Sequence, residues 1–560
     1  MSAEQTQSLH RYRVAEIPLL QHVVRRLGIE PILRRYLPAH GNEKVAAVES
    51  LLLLTYNITC GRQPLYELPL WTTQLDGRLF ARPSDLCESL FNDDRYGRAL
   101  DKLYEVDRAA LMTDIVLRLI DVTGLDLSQI HNDSTSVKTT GRMPGTTRDG
   151  LRFAHGHSKD HRPDLKQIVF CLTLSSDGAV PIHFKTYPGN RTDDTTHIDT
   201  WRTIRQIAGR PDFLYVADSK VCTEKQLSDI VRHGGRVVSL LPETWSEVKR
   251  FKDALRDGVK AKHRILRQPV PNSPETFETF YRFSGQYVTA KGGYTLHWIY
   301  TNEKRKRDRK IREERLLRAE RDLGELMGKL NVRRLKTHEQ ISERIDKLLE
   351  QHHVTDFYHI AINTVQERDT RQIGKGRPGK HTRYESTERT LYTLSWSRNR
   401  QALERESRID GIFPLLSTDA SLSAKEALVA YKYQPRLEKR FEQLKSVHKV
   451  APTLCKKVER VEAMMFLFFI ALILQALIER EVRHAMSDNT IEAIPIYPEH
   501  RLAYHPTTAK IFDRFHDVSV CRLMKGDTLV NEFRDELNAV QLSVLELLGM
   551  STADYWRCVR

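Results

Sequence analysis

Between residues 127 and 242 the chain alternates short apolar runs with amphipathic segments in a fixed order. The predicted strands are 127–133, 167–175, 180–187, 213–219 and 236–242, and the predicted helices are 196–209 and 223–235. The second and third strands are joined by SDGA, a sequence typical of a hairpin turn. A strand, a hairpin and two helix–strand units favour a mixed sheet covered by helices, so we predict an α/β fold class.

Two of these strands end on an aspartate that is followed by a serine. The run LDLSQIHNDS ends on Asp133-Ser134, and the run FLYVADS ends on Asp218-Ser219. Either aspartate alone fits a turn, because Asp and Ser side chains form local hydrogen bonds there. Two strand-end carboxylates in one sheet favour a divalent-metal site, since Mg²⁺ prefers oxygen ligands. A third carboxylate would complete a two-metal phosphoryl-transfer site.

A long helix predicted over 421–450 offers the third carboxylate. At 100° per residue, its polar stripe consists of Tyr431, Gln434, Glu438 and Lys445. An apolar strip beside this stripe lets the helix pack on the sheet while Glu438 tilts toward the two aspartates. Glu442 lies close to the same stripe, so periodicity alone leaves both glutamates as candidates.

Asp133, Asp218 and Glu438, together with the stripe Tyr-x2-Gln-x3-Glu-x6-Lys, resemble the DDE transposases of bacterial insertion sequences. The branch that is similar carries the signature Tyr-x2-Arg-x3-Glu-x6-Lys, and its spacing selects Glu438 over Glu442. The segments HGHSKDHRPDLKQIVF, PGNRTDDTTHI, ADSKVCTEKQL and DGIFPLLST also resemble this family, so the likeness runs from about 130 to 485. The signature arginine is replaced by Gln434, with Arg436 nearby.

The resemblance implies a retroviral-integrase (RNase H-like) fold, in which a mixed sheet flanked by helices is interrupted by a large β-rich and helical insertion. It implies that Asp133, Asp218 and Glu438 are catalytic and hold two Mg²⁺ (or Mn²⁺) ions. The implied enzyme is a DNA transposase, a Mg-dependent endonuclease and strand transferase. It would bind the terminal inverted repeats of its insertion sequence, cleave the DNA ends and join them to target DNA by two-metal-ion phosphoryl transfer.

The charge of the chain points to a polyanionic partner. With 88 Lys and Arg against 73 Asp and Glu, the net charge is +15, which favours nucleic acid, although a generally basic protein gives the same total. Segment 304–318 has nine Lys and Arg against three acids, and the glycine-rich segment 371–383 has five and no acid. The predicted DNA-binding residues are Tyr431, Gln434, Arg436, Lys445, Lys159, Arg162, Arg191, Lys375, Arg377 and Lys380.

The pattern predicts five segments. They are a helical N-terminal domain that binds DNA ends (1–125), the first part of the catalytic core (126–243), an insertion domain of strands and charged helices (244–409), the second part of the core with the Glu438 helix (410–485), and a C-terminal helical region (486–560).

Two clusters have competing interpretations. His155, His157 and His161 fit zinc ligation, but the interleaved Lys and Arg favour a loop that contacts DNA phosphates. Asp193 and Asp194 are candidate metal ligands, although capping of the next helix at its positive end is favoured.

The cysteines, the N-terminus and the longest apolar run indicate where in the cell the protein is located. Seven cysteines without a C-x-x-C pair argue against a disulfide framework and a cysteine-based zinc site, and they fit a reducing cytoplasm. The polar N-terminus lacks the apolar region of a signal peptide. The apolar run 463–474 has 12 residues, whereas a membrane span needs about 20, so it predicts a buried core helix. We expect a cytoplasmic, nucleoid-associated bacterial protein with no membrane partner.

The expected partners are double-stranded DNA, as element ends and as target, and a second copy of the chain. Joining two ends requires two active sites, and one chain offers one set of three carboxylates, so a homodimer on paired ends is expected. The apolar segment 536–550 suits a partner helix, although packing onto its own core is favoured. Two alternatives to a transposase stay open: a metal-dependent nuclease of the same fold without strand transfer, and a non-catalytic DNA-binding protein derived from a transposase.

Overall fold

The computed structural model describes residues 7–39, 41, 43–61, 63–80, 90–140, 143–156, 162, 164–191, 196–270, 273–332, 335–451 and 455–557. By its contacts the chain divides into two compact units. The core unit consists of Met1–Ser239 with Ala427–Arg560, and the inserted unit consists of Leu240–Glu426.

The strands of the described residues are β1 (Gln7–Arg13), β2 (Gln129–Lys138), β3 (Gln167–Ser175), β4 (Pro181–Pro188), β5 (Leu214–Val216), β6 (Arg236–Leu240), β7 (Lys262–Val270), β8 (Ser273–Phe283), β9 (Thr295–Thr301), β10 (Tyr358–Gln372), β11 (Tyr384–Arg398), β12 (Ile412–Ser417), β13 (Ser519–Lys525) and β14 (Thr528–Arg534).

The α-helices of the described residues are α1 (Ile17–Leu27), α2 (Ile29–Tyr36), α3 (Ala47–Thr59), α4 (Leu68–Thr73), α5 (Asp93–Glu105), α6 (Arg108–Thr123), α7 (His197–Ala208), α8 (Glu224–Arg232), α9 (Ser246–Asp257), α10 (Asn302–Met327), α11 (His338–His352), α12 (Arg400–Ser407), α13 (Ala424–Tyr431), α14 (Gln434–Glu442), α15 (Val458–Asp488), α16 (Thr508–Phe515), α17 (Ala539–Leu547) and α18 (Thr552–Arg557).

The main sheet of the core unit has the order β4-β3-β2-β5-β6. The first three strands pair antiparallel, and β2–β5 and β5–β6 pair parallel, so the predicted mixed α/β class is confirmed. Strand β2 runs to Lys138, beyond the predicted end at Asp133, because β3 pairs with it as far as Lys138↔Gln167. Asp133 therefore lies inside a strand whose following residues, Ser134 to Val137, are buried.

Helix α15 forms the centre of the core unit and packs against α3, α5 and β4. It is long and apolar enough to cross a membrane, yet its most apolar window is 94% buried in the structure. The predicted core helix 463–474 is part of it. Because α3 and α5 pack on this helix, segment 1–125 shares one unit with strands β2 and β5.

The predicted C-terminal helical region is partly wrong, because it contains the hairpin β13–β14. The strand residues SVCRLMK and TLVNEFR are joined by a turn in which Gly526 has a φ of 58°, a conformation that favours glycine. Strand β1, which the sequence did not predict, pairs antiparallel with β13. Helix α17, within 536–550, packs on α15 and α16 of its own unit and buries Val544 and Leu545.

The inserted unit has an antiparallel set of strands in the order β12-β9-β8-β7. Segment 410–418, predicted as part of the core, provides β12, which pairs with β9 of this unit from Ile412↔Tyr300 onward. The unit thus spans Leu240–Glu426, wider than the predicted 244–409. The charged helices α10 and α11 bury one apolar cluster with the base of the β10–β11 hairpin.

The helix predicted over 421–450 is interrupted. Helix α13 ends at Tyr431, α14 begins at Gln434, and a π-helical turn covers Gln443–Val447. Pro435 at the start of α14 explains the break, because proline has no N–H and its ring clashes with the preceding helical turn.

Candidate functional site

Asp133 lies within β2, whereas Asp218 follows β5, which ends at Val216 and not at the predicted residue 219. Strands β2 and β5 pair in parallel from Gln129↔Leu214 to His131↔Val216. Asp133 and Asp218 each lie two residues beyond the last of these pairs. Both carboxylates are partly exposed at this edge, so they are accessible to a ligand.

Each aspartate is also oriented by local backbone groups. The N–H of Ser134 donates to Oδ1 of Asp133 at 2.7 Å. Asp218 precedes a 3-10 turn, Ser219–Val221, and accepts from the N–H of Lys220 at 3.2 Å. The hydroxyl of Ser239 donates to the main-chain oxygen of Asp218 at 2.8 Å and fixes the backbone there.

Glu438 is linked to the two aspartates by their common electrostatic effect on Tyr431, the last residue of α13. Burial raises the pKa of Tyr431, and the charges of Asp218, Asp133 and Glu438 each raise it further. Electrostatic effects of this kind come from charges a few ångströms away. Asp218, Asp133 and Glu438 are therefore all near enough to Tyr431 to act on its hydroxyl electrostatically, and Glu438 is exposed on α14.

The three carboxylates are chemically suited to bind Mg²⁺ or Mn²⁺, but they are not close enough together to form a complete metal site. Among the described residues, no group of three His, Cys, Asp or Glu side chains is close enough to hold a metal ion. Mg²⁺ commonly takes one or two carboxylates and completes its shell with water and substrate phosphates. Asp133 and Asp218 on neighbouring strands fit that mode of binding.

Gln434 has a different role from the predicted DNA contact. Its side chain is buried, its Oε1 accepts from Nδ1 of His131 at 2.9 Å, and its Nε2 donates to the main-chain oxygen of Asn132 at 3.1 Å. Burial lowers the pKa of His131 to about 4, so the ring is neutral and donates through Nδ1. Gln434 therefore fixes the start of α14 to β2, directly beside Asp133, and both its polar groups are engaged.

Arg440 is a positioning residue that the sequence did not reveal. Its guanidinium is buried and donates to the main-chain oxygens of Gly178 and Ala179, both at 3.0 Å, and to Glu479 on α15 at 2.9 Å. Burial opposes ionisation of Glu479, yet the charges of Arg440 and Arg483 lower its pKa. Arg440 lies in the charged run LEKRFEQLK, and its partner Glu479 is 39 residues further along the chain, so no local sequence pattern indicates that Arg440 is buried.

The other predicted cations of the core unit lie on its surface. Arg436 is exposed on α14, and Lys445 is half-buried in the π-helical turn. Arg162 is exposed and pairs with Asp164 at 2.7 Å, whereas Arg191 is exposed with its guanidinium 6.0 Å from the ring centre of Tyr187. Outside the described residues lie Lys159, His157, His161, Asp193 and Asp194.

Lys375, Arg377 and Lys380 lie in the exposed segment that joins β10 to β11. These strands have 15 residues each, and their distal halves are exposed on both faces. The register sets acids opposite arginines along the distal part, in the pairs Glu367↔Arg389, Arg368↔Glu388 and Arg371↔Glu385. The joining segment 373–383 has no acid, so its positive charge is not balanced in the same way.

The comparisons with known proteins give limited matches. Residues 9–117 match a family model described as "Domain of unknown function (DUF4277)". No curated protein matches the chain. The chain is similar to a solved structure described as "Cryo-EM structure of piggyBac transposase synaptic complex with hairpin DNA", with 9% identity, 84% of this chain and 77% of that chain covered, and a TM-score of 0.33. The family model covers less than half of the chain, and its description states no function.

Proposed function

We propose that this chain is a DNA transposase that cleaves the ends of its insertion sequence and joins them to target DNA. The observation that supports the proposal is that Asp133 lies in β2, Asp218 follows the parallel strand β5, and Glu438 lies on α14, whose first residue, Gln434, is hydrogen-bonded to β2. Adjacent central strands and one helix supply these carboxylates, as expected for an RNase H-like core. A binding protein gains nothing from placing three like charges close together, because their mutual repulsion is unfavourable.

Asp133, Asp218 and Glu438 would hold Mg²⁺ or Mn²⁺, which when bound supplies an activated water and stabilises the leaving oxygen. Tyr431 keeps its proton at neutral pH because its pKa is raised, so it offers an O–H donor to a phosphate oxygen. The proposal needs no covalent protein–DNA intermediate. Gln434 and Arg440 keep α14 against the sheet, and with it Glu438.

The proposed DNA contacts use cations that are accessible. Arg436, Lys445, Arg191 and Arg162 in the core unit would bind phosphates near the reacting strand. Lys159, which lies outside the described residues, is proposed as a further contact from the sequence alone. Phosphate contacts of this kind set the position of DNA without reading its sequence. In the inserted unit, the 373–383 segment would bind DNA backbone through Lys375, Arg377 and Lys380.

The proposed working form is a homodimer on paired element ends, in a bacterial cytoplasm and associated with the nucleoid. The chemistry of joining two ends requires it, since each chain offers one set of carboxylates. Because chains of charge +15 repel one another, DNA should promote the pairing.

The test uses the purified full chain, Mg²⁺, and the inverted repeats that flank its gene as substrate. A transposase yields cleaved ends with a free 3′-OH and then joined products on a target plasmid. Cleavage without joined products would indicate the nuclease alternative. Binding without cleavage, unchanged by Asp133→Ala or Asp218→Ala, would indicate the non-catalytic alternative and overturn the proposal.

A further inference from the structure

His197 is a buried residue beside the candidate site that the function described above does not use. It is the first residue of α7, and only 2% of its side chain is exposed. Its Nε2 lies 3.5 Å from Oδ1 of Asp218. That distance exceeds the usual range for a hydrogen bond, and Nε2 makes none within the described part of the chain. A buried polar atom left in this state is unfavourable.

The other ring nitrogen of His197 is already engaged. Nδ1 lies 3.1 Å from the hydroxyl of Tyr215, and the two rings meet edge to face with centres 6.1 Å apart. Burial raises the pKa of Tyr215 well above its usual value, so this phenol keeps its proton. When Tyr215 donates to Nδ1, the imidazole proton is on Nε2, the atom that faces Asp218.

The surroundings hold this arrangement rigidly. Tyr215 lies on β5 and is fully buried, and Asp218 follows two residues after the end of that strand. The contact from the Lys220 N–H also falls on Oδ1 of Asp218. Lys220 and His197 thus both face Oδ1. Together they can fix the orientation of the carboxylate through this oxygen alone, without contacting Oδ2.

We propose that His197 is a positioning residue for Asp218, with its Nε2–H directed at Oδ1 so that the carboxylate is oriented toward the bound metal ion and Tyr215 fixes the tautomer. This inference rests on the proposed function, since it assigns Asp218 to a metal. Partners of this kind behind a metal ligand typically contribute about 10–100-fold to metal affinity. His197 touches neither DNA nor metal in this account.

The test measures Mn²⁺ affinity of the full chain without DNA, by titration with electron paramagnetic resonance of free Mn²⁺. His197→Gln and His197→Asn are the matched pair. The glutamine amide nitrogen reaches about as far as Nε2, whereas the shorter asparagine places its nitrogen near Nδ1. We expect His197→Asn to weaken Mn²⁺ binding by about 10–100-fold and His197→Gln to stay within a few-fold of wild type. Tyr215→Phe should weaken it to a smaller extent.

Controls separate a loss of fold from a loss of positioning. His448→Phe removes another buried histidine of the core unit, whose Nε2 bonds to Gln475 at 2.9 Å, and should leave Mn²⁺ affinity unchanged. Equal Mn²⁺ affinities for the Gln and Asn variants, with thermal midpoints like that of wild type, would overturn the role of His197. If Asp218→Ala also binds Mn²⁺ like wild type, the proposed function fails instead, because Asp218 is then no ligand.

Discussion

Removal of Arg440 should loosen the helix that carries Glu438. Arg440 and Glu479 have side-chain exposures of 4% and 5%, so the pair is almost fully desolvated. Arg440→Met leaves a buried carboxylate whose remaining cation is Arg483 at 3.6 Å. Removing one partner of a buried ion pair lowers the free energy of unfolding by about 3–5 kcal/mol. Because Arg483 still pairs with Glu479, we expect a loss at the lower end of this range, about 3 kcal/mol.

The matched control removes both partners. Arg440→Met with Glu479→Met removes both charges of the buried pair, and Arg483, 24% exposed, keeps its hydrogen bonds to the main-chain oxygen of Pro506; the double variant should therefore be more stable than Arg440→Met alone. The assay is the thermal midpoint from scanning calorimetry, where about 3 kcal/mol corresponds to about 4 °C for a unit of this size. Arg440→Met should also slow DNA cleavage, because α14 loses its anchor to Gly178 and Ala179.

Additive losses of thermal stability in the double variant would contradict the pairing of Arg440 with Glu479. If the double variant melts below Arg440→Met by the full effect of Glu479→Met alone, the two side chains do not act as a pair. The fixed position of α14 would then depend on its apolar contacts, such as those of Leu437 and Phe441, which are buried.

Three further predictions concern other parts of the chain. Neutralising Lys375, Arg377 and Lys380 to Gln should reduce the slope of log K against log[salt] for DNA binding by up to about 2.7, at about 0.9 per phosphate contact, and an unchanged slope would exclude this segment from the interface. Gln434→Leu should lower the cleavage rate while DNA binding in Ca²⁺ is retained, because both hydrogen bonds of Gln434 are internal; a loss of binding equal to the loss of cleavage would restore its DNA contact. Burial lowers the pKa of His183 to about 4, so wild type should lose up to about 3 kcal/mol of stability as pH falls from about 6.5 to 4, and His183→Phe should flatten that part of a melting-temperature profile; an unchanged profile would contradict the buried neutral ring.

The hairpin and the helices that flank the main sheet followed from sequence because their signals are local. Strand β3 has the predicted bounds, and β4, α7 and α8 begin within a residue of prediction. Apolar alternation and turn residues determine such elements over a few positions. The length of β2 did not follow, because Ser134 and Thr135 look like a turn until β3 pairs with them.

The parts that escaped prediction depend on distant partners. Gln434 was expected at the surface because the signature position carries an arginine in similar proteins, yet His131 and Asn132 bury it. His197 lies in TDDTTHI, a run that suggests only a helix cap, and its closeness to Asp218 arises from the packing of α7 on β5. The strand β12 pairs with β9, more than a hundred residues earlier in the chain, which no local pattern indicates.

The most direct test of the central claim compares the two glutamates of α14. Glu438→Gln and Glu442→Gln change the same group on one helix, four residues apart, and both side chains are exposed. Cleavage of end DNA in Mg²⁺ is measured for each variant, with binding in Ca²⁺ as the control. The account predicts that Glu438→Gln binds DNA and loses cleavage, while Glu442→Gln cleaves at the wild-type rate. Cleavage by Glu438→Gln at the wild-type rate would contradict the assignment of Asp133, Asp218 and Glu438 as one site.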